Sequence, residues 1–233
     1  MKETFQMSDL QMLARDCLTR AGVSAHVAGI VARDVALSEA TGRADCGFAG
    51  LLRDIRLIRY GRLSPDATAV ISNPAPSVIE VDAAHGFAAA ALAQSLPALV
   101  DAARAQGVAM LHLTRASNPG AMAGAMAELA ASDLAALGLG SKGQAFAIRP
   151  QAGVVTALDS GADTALSALL SEAPPIEDSP LDGPVEASGW LTALDPGVTA
   201  AAELLRHLPL KRGMIAPTGV SLAPELLAQI VNA

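Results

Sequence analysis

The spacing of apolar residues changes once along this chain, and that change restricts the fold more than any other feature. Between residues 8 and 60, apolar residues recur every three or four positions, as on one face of a helix. From residue 77 onward, short apolar runs alternate with longer helical stretches. We therefore predict an α/β fold in which an N-terminal helical layer is followed by a mixed sheet covered by helices.

Capping residues and glycines delimit three predicted helices in the N-terminal layer. Ser8 opens a capping box at the start of the first helix, and Gly22 ends it. Ser24 caps the second helix, which Gly42 breaks. The third helix is predicted over residues 45–60, and three prolines after it mark extended, irregular chain.

The remaining pattern predicts the α/β part and the domain organisation. The predicted strands are Ser77 to Val81, Val108 to Leu113, Leu134 to Leu137, Phe146 to Ile148, Val154 to Leu158 and Trp190 to Leu194. The predicted helices are Gly86 to Gln106, with a kink or break at Pro97, and Ala121 to Ala131, Asp163 to Leu170, Gly197 to Leu208 and Pro224 to Val231. We expect one compact domain with a helical layer at 1–62, an α/β core at 77–172, a Pro-rich loop at 173–187 and closing elements at 188–233.

Composition argues against several classes of function. The net charge of -7 argues against nucleic-acid binding, because a protein binds the phosphate backbone through clustered Lys and Arg residues. Residues 1–10 lack the apolar stretch of a signal peptide, and the Ala-rich run at 86–100 is too short and too polar to span a membrane. Two scattered cysteines, Cys17 and Cys46, are typical of reduced thiols, so we expect a cytoplasmic protein.

Six short motifs follow one another in an order that resembles one known family. They are Gly42-Arg43-Ala44-Asp45-Cys46-Gly47, Tyr60-Gly61-Arg62-Leu63-Ser64-Pro65, Val81-Asp82 with Gly86, Gly107-Val108-Ala109, Ser117-Asn118-Pro119-Gly120, and Gly189-Trp190 with Asp195-Pro196. The order is similar to that of the malate/L-lactate dehydrogenase family of NAD(P)-dependent 2-oxoacid and ketimino-acid reductases. The resemblance implies that family's fold rather than a Rossmann fold.

The chain departs from the family at positions that carry the family's chemistry. Asp45-Cys46 stands where the family has Ser-His, Pro119 where it has a second histidine, and Gly50 where it has an arginine. Hydride transfer needs a proton source and a cation for the substrate carboxylate, and those residues are implicated in both. The resemblance therefore implies a protein without dehydrogenase activity that binds a small molecule or acts as a partner or regulatory protein. The alternative is an NAD(P)H-dependent oxidoreductase, or an enzyme of altered chemistry that uses the same cleft.

The aligned motifs predict where a ligand pocket lies. Its candidate residues are Asp45, Cys46, Gly47, Arg53, Ser117, Asn118 and Lys142, of which Asp45 and Cys46 are also catalytic candidates. A helix N-terminus would favour a thiolate at Cys46, whereas the alternative is a helix cap at Asp45 beside a buried thiol. Arg53 begins a basic set at every third position that is either solvated, faces acidic groups of a partner, or meets a ligand carboxylate.

The glycines and histidines add weaker signals. Residues 138–143 form a Gly-rich loop that contains Lys142 and either holds an anion or is a flexible connection. His112 is predicted to be half-buried in a strand and His85 to be exposed in a turn. The four histidines match no zinc spacing, so no metal site is predicted.

Cofactor and assembly are expected from the resemblance alone. It implies NAD(P) as cofactor and a homodimer that places the cofactor near the subunit interface. A small anionic metabolite is the expected ligand, and neither nucleic acid nor a membrane is an expected partner.

Overall fold

The computed structural model describes residues 3–140, 145–148, 150, 156–157, 185, 187–197 and 220–233. The helices are α1 (Met7–Arg20), α2 (Ala25–Ala40), α3 (Phe48–Arg59), α4 (Ala88–Gln106), α5 (Ala123–Ala131) and α6 (Pro224–Val231). The strands are β1 (Glu3–Phe5), β2 (Val70–Ala75), β3 (Val78–Asp82), β4 (Val108–Thr114), β5 (Ala135–Leu139), β6 (Ala145–Ile148), β7 (Thr156–Ala157), β8 (Gly189–Leu194) and β9 (Val220–Leu222).

The three predicted N-terminal helices are present, and two of them begin elsewhere than predicted. α1 starts at Met7, and its first turn is closed by Asp9 Oδ2, which accepts a hydrogen bond from the Gln6 backbone N–H at 3.0 Å. The predicted capping box at Ser8 is therefore wrong by two residues, because Asp9 occupies the third helical position. α3 starts at Phe48, and the helix ends at Gly22 and Gly42 have the left-handed φ expected of such glycines.

Seven strands of the described part of the chain form a mixed sheet, which is the second layer, as the sequence predicts. Its order is β2-β3-β4-β8-β5-β6-β7, with β3 and β4 parallel and the other neighbours antiparallel. The late strand β8 lies between β4 and β5, so it closes the middle of the sheet. This insertion brings Gly189 close to the turn that follows β4.

No strand was predicted from the sequence at β1, β2 or β9. β2 contains Pro74, which is compatible with an edge strand because one side of the strand needs no donor. Its pairing with β3 shifts register between Ser72 and Ala75, around that proline. The short strands β1 and β9 pair antiparallel and were missed, since three residues carry no readable alternation.

Helix α4 runs continuously through Pro97, so a break at this proline, one of the two predicted alternatives, is wrong. Pro97 is exposed, and the helix around it is retained. The buried apolar residues form two clusters, one between the sheet, α4 and α5 and the other among α1, α2, α3, α6 and the start of α4. α4 therefore packs between the helical layer and the sheet.

Some predictions lie outside the described residues. These are the helices at 163–170 and 197–208 and most of the Pro-rich loop at 173–187. In the ranges that are described, no helix combines the length and the apolar character needed to cross a membrane.

Candidate functional site

Two of the family-like motifs meet at the N-terminal end of α3. The loop 41–47 precedes this helix, and the turn at residues 117–120 follows β4. Asn118 Nδ2 donates a hydrogen bond to the Cys46 carbonyl oxygen at 3.5 Å. Candidates that are about seventy positions apart in sequence are thus neighbours, and their binding of a ligand remains a prediction.

Gly50 lies close to both motifs. A Cβ atom there would lie 2.6 Å from the Asp45 carbonyl oxygen and 2.8 Å from Asn118 Nδ2. Both distances are well below van der Waals contact, so a side chain would force the backbone of the loop or the turn to move. Glycine at position 50 is therefore a requirement of this close approach.

Asp45 and Cys46 do not form the helix start that the sequence predicts. They lie in a turn in which the Cys46 N–H donates to the Arg43 carbonyl oxygen at 3.0 Å, and Gly47 is the N-cap of α3. Asp45 is exposed and Cys46 is 2% exposed. Burial raises the pKa of the Cys46 thiol to about 11, against the lowering effect of the Arg43 charge. At neutral pH the thiol is protonated, which argues against a nucleophilic thiolate.

Asp54 is a buried acid in this cluster that the sequence analysis missed. It is 3% exposed, and its Oδ2 accepts a hydrogen bond from Ser117 Oγ at 3.4 Å. Its Oδ1 lies 3.7 Å from Arg53 Nη2. Burial raises the pKa of Asp54 to about 6, although the Arg53 charge and the Ser117 hydroxyl lower it. We call Cys46, Asp54, Ser117 and Asn118 the motif cluster.

A signal for Asp54 is present in the sequence. It lies among Leu51, Ile55 and Ile58, on the face of α3 that the apolar spacing turns inward. An ionisable residue on such a face is rarely buried without a partner, so its position marks a candidate. Arg53, for which a ligand carboxylate was one of three predicted alternatives, is about half exposed and lies 3.7 Å from the Asp54 carboxylate here.

The turn that carries Ser117 and Asn118 is fixed by the chain that follows β3. The Ser117 N–H donates to the Gly86 carbonyl oxygen at 2.9 Å, and the Ala88 N–H donates to the Ser117 carbonyl oxygen at 3.2 Å. A Cβ at Gly86 would lie 2.7 Å from Ala67 Cβ, so this approach needs glycine. Asn118 has a left-handed φ of 47°, which asparagine tolerates better than most residues.

Two further buried ionisable residues hold this turn from the helical layer. Arg43 Nη2 donates a hydrogen bond to the Gly120 carbonyl oxygen. Asp34 Oδ1 accepts one from the Gly124 N–H at 2.6 Å, at the start of α5. Burial raises the pKa of Asp34, and the Gly124 N–H and the Arg43 charge lower it. No sequence pattern connects either residue with the turn, because these contacts exist only in the folded chain.

The other residues that the sequence analysis singled out lie away from the motif cluster or outside the described residues. Lys142 is outside the described residues, so its predicted anion contact is untested. Gly138, predicted to open a loop, belongs to strand β5 instead. A Cβ at Gly138 would lie 2.8 Å from Met122 Sδ, which explains glycine within this strand.

Two of the described histidines, His85 and His112, have structural partners. His85 was predicted to be exposed, but it is half-buried, and its Nδ1 lies 2.9 Å from the Val185 carbonyl oxygen. His112 is half-buried as predicted and stacks on Trp190 with ring centroids 4.0 Å apart. Within the ranges the structure covers, no group of three His, Cys, Asp or Glu side chains is arranged to hold a metal ion.

Met122 fills the space in front of two glycines in the sheet. Gly138 and Gly189 lie on the neighbouring strands β5 and β8. A Cβ atom built on Gly138 would lie 2.8 Å from Met122 Sδ, and one built on Gly189 would lie 2.9 Å from Met122 Cε.

This chain is similar to proteins that are named as reductases and dehydrogenases. The sequence profile of the family described as malate/L-lactate dehydrogenase matches residues 5–155. A Delta(1)-pyrroline-2-carboxylate reductase of Ancylobacter novellus is 32% identical over 107 residues, which cover 46% of this chain and 31% of that protein. The matched region spans about a third of the length of the curated relatives.

Solved structures share the fold over the whole chain. A dehydrogenase from Sinorhizobium meliloti has a TM-score of 0.77 at 15% identity, covering 100% of this chain and 98% of that one. A delta1-piperideine-2-carboxylate reductase from Pseudomonas syringae has a TM-score of 0.72 at 17% identity, covering 99% of each chain. Since the family profile covers more than half of the sequence and the helical layer and mixed sheet match these folds, the chain belongs to the malate/L-lactate dehydrogenase family.

Proposed function

We propose that this protein is an oxidoreductase that reduces the C=N or C=O bond of a small carboxylate, with Asp54 as the proton source. The observation that carries the proposal is the position of Asp54, buried where the two family motifs meet, with a pKa raised to about 6. A carboxyl group with that pKa is partly protonated near neutral pH, as a general acid must be. The reductase names of the curated relatives support the reaction class.

Ser117 connects Asp54 to the reacting atoms in this proposal. Its hydroxyl lies 3.4 Å from Asp54 Oδ2, and a hydroxyl both donates and accepts hydrogen bonds. The protonated carboxyl group gives its proton to Ser117 Oγ as the Ser117 proton passes to the nitrogen or oxygen of the substrate. Arg53 and Asn118 supply a cation and an amide donor for the substrate carboxylate. The family implies a nicotinamide dinucleotide as the reductant.

The test follows oxidation of NADH and NADPH with Delta(1)-pyrroline-2-carboxylate and with pyruvate. Wild type is expected to turn over at least one substrate, and Asp54→Asn to lower kcat by a factor of about 10² to 10⁴. Asp101→Asn, on the exposed face of α4, is the matched control and should leave kcat unchanged. An Asp54→Asn protein that is folded and fully active contradicts the role of Asp54.

A second candidate function is a ligand-binding protein that transfers no hydride. The crowding at Gly50 favours this second function. The family resemblance places an arginine at this position, but a Cβ atom built on Gly50 would lie only 2.6 Å from the Asp45 carbonyl oxygen. Titration with NADH, followed by nicotinamide fluorescence, separates the two functions. If about 1 mM cofactor shows no binding while a small carboxylate raises the melting temperature, the second function is supported and the first is rejected.

A further inference from the structure

A groove outside the motif cluster lies between α1, α2, α4 and α5. Its volume is about 330 Å³, within the range of small-molecule sites. Small and apolar residues such as Gly29, Ala93 and Leu96 line it. A Cβ atom built on Gly29 would meet nothing within 4 Å, so the space above this glycine is open. None of Cys46, Asp54, Ser117 or Asn118 lines the groove.

Asp34 is the buried acid that lines this groove. It is 2% exposed, and its Oδ1 accepts a hydrogen bond from the Gly124 N–H at 2.6 Å. The Ser38 hydroxyl and the charges of Arg43 and Arg33 also lower the pKa of this carboxyl group, which burial raises. Its Oδ2 is buried and makes no hydrogen bond. A buried carboxylate oxygen without a donor is costly, so a ligand that brings a cationic donor would satisfy it.

The rim of the groove carries the opposite charge. Arg15 and Arg33 line it and are exposed. Arg33 also pairs with Glu128 at 2.5 Å across the opening, with both side chains about half exposed. Exposed pairs of this kind contribute little to stability, so Arg33 can exchange Glu128 for a ligand carboxylate at low cost.

We propose that this groove binds a free amino acid with an apolar side chain. The ammonium group donates to Asp34 Oδ2, the carboxylate meets Arg15 and Arg33, and the side chain covers the apolar wall formed by Ile30 and Leu96. Charges of both signs separated by an apolar wall match a zwitterion better than a simple anion or cation.

Calorimetric titration with L-leucine tests the site without reductant or turnover. The matched probes are 4-methylpentanoate, which lacks the ammonium group, and 3-methylbutylamine, which lacks the carboxylate. Leucine is expected to bind with a Kd of about 1 mM or tighter, at least about tenfold more tightly than either probe. No saturable binding of leucine up to about 20 mM, or equal binding of a single-charge probe, overturns the proposal.

Two variants locate the site. Asp34→Asn keeps an oxygen for the Gly124 N–H and should weaken leucine binding about tenfold, because a charge-assisted hydrogen bond becomes neutral. Gly29→Leu fills open space on an exposed helix position and should abolish binding while the protein stays folded. Unchanged binding in folded Gly29→Leu also overturns the proposal. Asp101→Asn and Asp54→Asn should bind leucine as wild type does, so failure of this site and failure of the proposed oxidoreductase are distinguishable.

Discussion

Asp54 shows how the position of one carboxyl group on a helix links stability to chemistry. The inward face of α3 takes it out of water beside Ser117, and burial raises its pKa from the ordinary 3.8 to about 6. The folded state therefore favours the protonated form more than the unfolded state does. Stability that depends on this proton is fully present below about pH 4 and is lost as the pH rises through about 6.

Asp54→Asn should consequently stabilise the protein relative to wild type at about pH 8 and much less at about pH 4. The shift from 3.8 to about 6 corresponds to a difference of about 3 kcal/mol between these two conditions. Urea unfolding of both proteins at the two pH values, followed by Trp190 fluorescence, measures it. A stability difference that does not change with pH would show that Asp54 is not the titrating group.

Gly50 and Gly29 are both helical glycines with opposite surroundings. Gly50→Ala should destabilise the protein by about 1–3 kcal/mol, because the new Cβ would press on the Asp45 carbonyl oxygen. Gly29→Ala is the matched control and should stabilise it by about 0.5–1 kcal/mol, since its Cβ meets open space in a helix interior. Chemical denaturation compares them, and equal effects would contradict the close approach at Gly50.

At the scale of elements, α4 determines how the two layers fit together. It packs against the sheet on one side and against the helical layer on the other, and it remains one helix from Ala88 to Gln106 in spite of Pro97. Proline removes the hydrogen bond to the carbonyl group four residues earlier, here Ala93. Packing on both sides offsets that loss, which a reading of the sequence alone does not include.

Pro97→Ala should therefore raise the free energy of unfolding by about 1–3 kcal/mol without altering the fold. Pro97 is exposed, so alanine removes little packing. The comparison variant is Ala102→Pro, in the same helix, which should be strongly destabilising. Thermal melts followed by circular dichroism test both, and a loss of stability in Pro97→Ala would mean that the proline relieves strain in the native helix.

At the scale of the whole molecule, one face of the sheet leaves large apolar side chains exposed. Val108, Met110 and Trp190 lie on the adjacent strands β4 and β8 and are 43%, 40% and 37% exposed. Contiguous apolar surface on a folded protein is typical of an interaction site. The homodimer that the family resemblance implies would bury such a surface.

We expect light scattering after gel filtration to give the mass of a dimer, and Met110→Lys to shift the protein toward the monomer. A charge in the middle of an apolar interface loses its hydration on association, which weakens the dimer. Thr19→Lys, on the exposed face of α1, is the control and should not change the mass. A wild-type monomer at all concentrations would contradict the prediction.

Local patterns in the amino-acid sequence were sufficient to predict most of the described helices and strands and the family. Apolar spacing and glycine positions predicted α1 to α5, α6 and the core strands, and the ordered motifs identified the fold. Short strands such as β1 and β9 were not predicted, since three residues are too few to show an alternation of apolar and polar residues. The motifs also indicated that Cys46 and Asn118 lie together.

The chemical environment of the motif cluster depends on the tertiary structure. Whether Asp54 is solvated or buried beside Ser117, and whether Cys46 is a thiolate or a protonated thiol, depends on residues distant in sequence. Burial and hydrogen bonding set the pKa of an ionisable group, and both are properties of the packed molecule. The same is true of Asp34, whose bond to Gly124 joins α2 to the start of α5.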